Sequence, residues 1–164
     1  MLGDQVGQIA NSLGFNPKFI GVFSLEELPQ RPMEVGQTLI ANTLPARLQL
    51  TGHWVAITKT GRNSYYFFDS MGRQPGYYNF HNWAPPWSVD KLARSNGKRP
   101  RVDWNRRRIQ SNASLDCGLF AGYYTLAVTV LGKRPQAVSK EFRNRTLHKN
   151  DEIVRRKLNT LVFM

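Results

Sequence analysis

The sequence is poor in cysteine and contains no long apolar run. Cys117 is the single cysteine among 164 residues, so the chain can form neither an internal disulfide nor a cysteine-based metal site. No apolar stretch approaches the roughly 18 residues that cross a bilayer, and the N-terminus lacks the form of a secretory signal. We therefore expect a soluble protein of a reducing compartment, not secreted, with no membrane partner and no metal.

Acidic residues are also scarce. Eleven Asp and Glu stand against 23 Lys and Arg, which gives a formal net charge of +12. Such an excess suggests a polyanionic partner, most often nucleic acid, although a basic surface that is merely solvated fits the charge equally well. Much of the excess lies late in the chain, as in "KRPRVDWNRRR" (98–108). The candidate DNA contacts are Arg99, Arg101, Arg106, Arg107 and Arg108.

What is abundant indicates a folded domain. Hydrophobic residues make up 41% of the chain and aromatic residues 12%, which is typical of one globular domain, here over residues 1–164. "HWVAITKT" (53–60) and "SYYFFDS" (64–70) flank the turn residues "GRN" and predict a β-hairpin. "RRRIQS" (106–111) is a further candidate strand.

The apolar run "CGLFAGYYTLAVTVL" (117–131) predicts a buried core helix that begins at Cys117. Two amphipathic helices are expected after it, one following Pro135 and one following Asn150 or Asp151. The expected fold class is therefore α+β, with an antiparallel sheet packed against a central buried helix.

A lone cysteine is usually a small buried hydrophobe, but Cys117 opens the predicted helix. Backbone N–H groups and the helix dipole favour a thiolate there, which would make Cys117 a candidate nucleophile. A nucleophilic thiol needs a base, and the candidates are His53, His81 and His148. His53 has the best context because it starts a predicted strand and can project from the end of the sheet.

Two further side chains could complete an acyl-transfer site. Asp69 ends the strand that pairs with the one His53 begins, so both side chains should lie at the same end of the sheet. Gln110 precedes Cys117 by seven residues and could supply a second donor to an oxyanion, beside the Cys117 backbone N–H. Taken alone, Gln110 is an ordinary polar residue of a strand.

These residues occur within motifs that resemble a known family. "GHWV" (52–55), "FFDSMG" (67–72), Gln110 and "DCGLF" (116–120) are similar, in this order, to the motifs of the adenovirus endopeptidase (adenain) family, within the Ulp1-like cysteine proteases. "LGFNPKFIGVF" (13–23) also resembles the start of adenain chains. The resemblance implies that the chain has the fold of that family and the activity of a cysteine endopeptidase. It assigns His53 as base, Asp69 as its orienting acid, Gln110 as oxyanion-hole donor and Cys117 as nucleophile.

The resemblance also implies partners and a location. Family members cleave structural precursor proteins during viral maturation, beside small residues such as glycine, and use DNA as a cofactor. The expected location is the virion and the host nucleus or cytoplasm. Adenovirus enzymes are activated by a peptide tethered through a second cysteine, which this chain lacks. No disulfide-linked peptide is therefore expected, and a noncovalent activating peptide remains open.

Two alternatives compete with a maturation protease. The same catalytic groups could hydrolyse isopeptide bonds, which would make the protein a deubiquitinating enzyme or one that deconjugates a ubiquitin-like protein. The chain could also be a nucleic-acid-binding module on an inactive protease fold. The presence of His53, Asp69, Gln110 and Cys117 together argues against this last alternative.

Overall fold

The computed structural model describes residues 2–24, 28, 33–43, 52–78, 100–111 and 116–162. Within these residues it contains a five-stranded sheet and four α-helices. In chain order the elements are α1 (Leu2–Ser12), β1 (Phe19–Ser24), β2 (Thr38–Asn42), β3 (Trp54–Gly61), β4 (Ser64–Phe68), β5 (Arg101–Trp104), α2 (Cys117–Thr129), α3 (Pro135–Val138) and α4 (Leu147–Leu161).

The sheet is mixed, with the strands in sequential order from β1 to β5. The predicted hairpin is present as β3 and β4, which pair antiparallel, and β2 also pairs antiparallel with β3. The expectation of an antiparallel sheet is otherwise wrong, because β1 pairs parallel with β2 and β4 pairs parallel with β5. The connecting segments 25–37 and 69–100 are long enough to return the chain to its starting end, as a parallel pair requires.

The predicted central helix is present as α2 and begins at Cys117. Nearly every residue of α2 is buried, as is typical of a helix that is apolar on all sides. It packs between α1, the sheet and α4 in one apolar core. A Cβ added to Gly122 would lie 2.3 Å from Cδ1 of Ile9 on α1, so the Ile9 side chain packs directly on this glycine and would have to shift to admit a larger residue.

Three stretches in the last third of the chain differ from the sequence prediction. The segment 106–111 is not a strand, and β5 lies just before it, at Arg101–Trp104. The helix after Pro135 has one turn and continues as a 3₁₀ turn over Ser139–Glu141. The last helix begins at Leu147, upstream of Asn150 and Asp151. These two residues are buried within its first turns and bind the 109–111 segment instead of capping the helix.

Within the described residues, no helix combines the length and the apolar character needed to cross a membrane.

Candidate active site

The sheet brings His53 and Asp69 together at one end. Strand β3 runs opposite to its neighbours, so its start lies beside the end of β4, where Ala56 pairs with Phe68. His53 directly precedes β3 and Asp69 directly follows β4. The Nε2 atom of His53 lies 2.5 Å from Oδ1 of Asp69, within hydrogen-bonding distance. The hairpin therefore produces the pairing that the sequence pattern predicted.

Asp69 is fully buried, and its carboxylate is surrounded by donors. Besides His53, the backbone N–H of Met71 donates to Oδ1 at 2.8 Å, and the Tyr78 hydroxyl donates to Oδ2. Burying a carboxylate is costly unless it is paired and hydrogen-bonded. These contacts offset that cost and fix the carboxylate against the imidazole.

Tyr78 is a member of the site that the sequence did not reveal. Its ring stacks on the His53 imidazole, with centroids 5.9 Å apart and planes at 16°, while its hydroxyl binds Asp69. Burial, together with the neighbouring Asp69 charge, raises the pKa of Tyr78, so its hydroxyl stays protonated and acts as a donor. Tyr78 lies in the aromatic stretch "GYYNF" (76–80), where no spacing distinguishes it from its neighbours.

Cys117 lies near the same imidazole, at the start of the central helix. It is the first residue of α2, it is buried, and it is close enough to His53 to help raise the pKa of the imidazole. Because Nε2 of His53 is occupied by Asp69, the other ring nitrogen, Nδ1, is the one available to the sulfur. The first turn of a helix also presents unpaired N–H groups and the positive end of its dipole. Both features stabilise a negative charge on sulfur.

The environment of His53 favours its protonated form. Burial lowers the pKa of His53, but the hydrogen bonds to Asp69 and Cys117 and the negative charges of both groups outweigh it and raise the pKa from 6.5 to about 9. At neutral pH the imidazole is therefore an imidazolium. A positive ring between a carboxylate and a sulfur stabilises the thiolate form of a cysteine.

Gln110 is buried and linked to the turn after Asp69. The Ser70 hydroxyl donates to Oε1 of Gln110 at 2.5 Å, and the Ser70 carbonyl accepts the N–H groups of Ile109 and Gln110. The hydrogen bond from Ser70 fixes the oxygen end of the amide and so sets the direction in which the Nε2 group points. The residues around Gln110 and Cys117 are both attached to α4, through Asn150 on the Ile109 carbonyl and through an ion pair between Arg155 and Asp116.

The structure also places two residues beside the site and one of the other histidines. Asp116 occupies the N-cap position of α2 but makes no side-chain cap bond, because its carboxylate pairs with Arg155. His148 is exposed on α4, and His81 lies outside the described residues. Trp54 is half-buried and packs against the core, with Cδ1 3.1 Å from the position of a Cβ on Gly118. It therefore contacts the helix turn that holds Cys117.

The basic candidates are placed around β5, except Arg99, which lies outside the described residues. Arg101 is exposed. Arg106 is exposed, pairs with Asp103 at 3.3 Å and lies 3.9 Å above the Trp104 ring. Arg107 is exposed and donates to the Arg143 carbonyl, whereas Arg108 is half-buried and donates to the Gln110 carbonyl at 2.8 Å. Arg108 is therefore held against the backbone of Gln110 and is less available to DNA than the exposed arginines.

Among the described residues, no group of three or more His, Cys, Asp or Glu side chains is arranged to hold a metal ion. No protein-family model matches the chain, and its sequence has no significant match among curated proteins.

Proposed function

We propose that the protein is a cysteine endopeptidase with the fold of the adenain and Ulp1-like proteases. The observation that carries this proposal is the position of His53, which binds Asp69 through Nε2 and lies near Cys117 at the start of α2. A nucleophile, a base and an orienting acid in this order are the elements of a catalytic triad. A mixed sheet packed against a buried central helix is compatible with an α+β fold of this kind.

The first half of the reaction uses the ion pair between His53 and Cys117. The Cys117 thiolate attacks the carbonyl carbon of the scissile peptide bond, and the carbonyl oxygen becomes an oxyanion. The His53 imidazolium then donates its proton to the leaving amine, the C–N bond breaks, and an acyl-enzyme thioester remains. Asp69 holds the ring in place and stabilises its charge throughout.

In the second half, His53 is the neutral imidazole left by the first proton transfer. It removes a proton from a water molecule, whose oxygen attacks the thioester. The carboxylic acid product leaves, and the thiolate and imidazolium are restored. The oxyanion of each step is stabilised by the backbone N–H of Cys117 and by the Gln110 amide, which Ser70 orients.

The resemblance to the adenain family supports a substrate with small side chains at the cleavage point. We propose peptide bonds next to glycine or other small residues, in structural precursor proteins cleaved during viral maturation. The protein would then act in the virion and in the host nucleus or cytoplasm.

We further propose DNA, bound without sequence preference, as a partner and activator. The support is the formal charge of +12 and the exposed guanidinium groups of Arg101, Arg106 and Arg107. A disulfide-linked activating peptide would consume Cys117, which the chemistry requires as a free thiol. Any activating peptide would accordingly bind noncovalently.

Cleavage of a peptide library tests this function. We expect the wild-type protein to cut beside small residues and the Cys117→Ala variant, equally folded, to cut nothing. Cleavage by Cys117→Ala at the wild-type rate would refute the proposal. Rapid reaction of wild-type protein with a ubiquitin-derived electrophile, without cleavage of linear peptides, would instead favour an isopeptidase.

A further inference from the structure

Strand β5 ends just before Asn105, where the side chain of Asn105 continues the pairing with β4. The parallel ladder of β4 and β5 reaches Phe67 opposite Trp104. Beyond this pair, the backbone N–H of Asp69 donates to Oδ1 of Asn105, the residue after Trp104, at 2.8 Å. The Nδ2 atom of Asn105 donates in turn to the Asp69 carbonyl at 2.6 Å. The amide therefore binds both backbone polar groups of the residue that holds the imidazole.

The N–H of Asp69 needs this partner because Asp69 lies beyond the last residue of β4, whereas its carbonyl also accepts the N–H of Gly72 at 2.8 Å. A buried residue that leaves a strand must satisfy its N–H and carbonyl elsewhere. With both groups bound by Asn105, the carboxylate is left to His53, Met71 and Tyr78. Asn105 is itself buried, so water does not compete for these hydrogen bonds.

The chain after Asn105 adopts a strained conformation that keeps it against the Asp69 turn. Among the described residues, Arg106 is the non-glycine residue with a positive φ, 25°, and the N–H of Arg107 donates back to the Asn105 carbonyl. A Cβ added to Gly72 would lie 2.6 Å from the backbone of Arg107 and Arg108, so the two segments are in close contact. Strain of this kind, on the order of 1–3 kcal/mol, persists where the surrounding contacts impose it.

We infer that Asn105 is a positioning residue for Asp69, which it holds at the distance from His53 that catalysis requires. This role rests on the proposed function. Asn105 touches no reacting atom and acts through the backbone of Asp69. Without it, the buried N–H of Asp69 loses its partner and the carbonyl keeps only the N–H of Gly72, so the residue can shift within its turn. Misplacement by about 1 Å in such a site can lower a rate by roughly 10²-fold.

The test compares Asn105→Ala with Asn16→Ala. Asn16 is a matched control because its amide also bridges backbone groups, accepting from the Lys18 N–H and donating to the Thr129 carbonyl, but at the opposite end of the sheet. We expect Asn105→Ala to lower kcat roughly 10–100-fold with KM nearly unchanged, and Asn16→Ala to leave both constants unchanged. Equal losses in the two variants would overturn the inference.

Titration of His53 by NMR supplies a readout that does not depend on cleavage. His53 faces two ionisable partners, Asp69 and Cys117, and the stacked Tyr78 hydroxyl. In Asn105→Ala we expect the pKa of His53 to fall by roughly one unit, because the carboxylate moves away from the ring. A wild-type pKa and a wild-type kcat in this variant would refute the positioning role. If wild-type protein cleaves no peptide, the proposed function fails, but the titration still decides the role of Asn105.

Should Asn105→Ala not fold, Asn105→Asp replaces it. Aspartate has the same shape and keeps an acceptor for the Asp69 N–H, but it places a carboxylate against the Asp69 carbonyl. We expect kcat to fall at least 10-fold with KM unchanged. A wild-type kcat in Asn105→Asp would overturn the inference.

Discussion

The Nε2 atom of His53 lies 2.5 Å from Oδ1 of Asp69, across a sequence separation of 16 residues. The contact joins the start of one strand to the end of its hairpin partner, so it depends on the register of β3 and β4. It orients the imidazole with Nδ1 available to Cys117.

Asp69→Asn should lower kcat by roughly 10²–10⁴-fold, because a neutral amide does not stabilise the charge of the imidazolium and can turn its NH2 group toward the ring. The pKa of His53 should fall from about 9 toward 6.5, since the hydrogen bond and charge of Asp69 raise it. Steady-state kinetics and an NMR titration measure the two effects. An unchanged rate would mean that another group, or none, orients His53. Asp103 is a poor substitute because it is exposed on β5 and pairs with Arg106.

The His53–Asp69 pair should make stability depend on pH. This is best seen in Cys117→Ala, since an unfolded thiol titrates in the same window. A folded-state pKa above the unfolded 6.5 means that the folded form binds more protons in between. The contribution is therefore complete below pH 6.5 and is lost as pH rises toward about 9. A rise from 6.5 to about 9 corresponds to about 3 kcal/mol, an upper bound for this variant.

Urea unfolding of Cys117→Ala at several pH values measures this loss. The double variant Cys117→Ala/Asp69→Asn is the control, and its stability should vary much less over the same window. Identical pH profiles for the two proteins would show that Asp69 does not hold His53 in its charged form.

Gln110→Ala should lower kcat by roughly 10²-fold with little change in KM, which is the scale of losing one oxyanion donor. Ser70→Ala should have a smaller effect in the same direction, because it removes the hydrogen bond that orients the amide. Neither variant should change the pKa of His53 as Asp69→Asn does. A raised KM with an unaltered kcat would make Gln110 a substrate-binding residue instead.

Tyr78→Phe should destabilise the fold by about 1–3 kcal/mol, because it removes a buried donor to the Asp69 carboxylate. It should also reduce kcat, since the carboxylate loses one of its fixed contacts. Tyr123→Phe is the matched control: it removes a hydroxyl that binds Glu141, away from the site. Comparable losses of kcat in the two variants would remove Tyr78 from the catalytic arrangement.

The protein should bind random-sequence duplex DNA more weakly as salt is added. A plot of log K against the logarithm of the salt concentration should be linear, with a slope of about −0.9 for each phosphate contacted. Arg101→Ala and Arg106→Ala should each lower the magnitude of that slope by about 0.9, the contribution of one phosphate contact. Lys18→Ala, directly before β1 on the opposite edge of the sheet, should leave the slope unchanged. Cleavage rates that are equal with and without DNA at low salt, despite measurable binding, would make the charge a solubility feature.

Local sequence patterns predicted the elements that carry the candidate site. The β-branched and aromatic hairpin and the apolar run after Cys117 are strong signals, and they place His53, Asp69 and Cys117 near one another. The parallel strand pairs were missed because strand direction depends on crossover connections, which residue patterns do not reveal. Tyr78 and Asn105 were missed because they act through tertiary hydrogen bonds to Asp69, with no periodicity to mark them.

The reaction of Cys117 with a peptide-based electrophile tests the central claim most directly. Wild-type protein, incubated with a peptidyl vinyl sulfone that ends in glycine, should form a one-to-one adduct on Cys117, identified by mass spectrometry. The His53→Ala variant and the urea-unfolded chain should react far more slowly, because neither holds the sulfur beside an imidazolium. Equal reaction rates for the folded wild-type protein, His53→Ala and the unfolded chain would contradict the claim that Cys117 is an activated nucleophile.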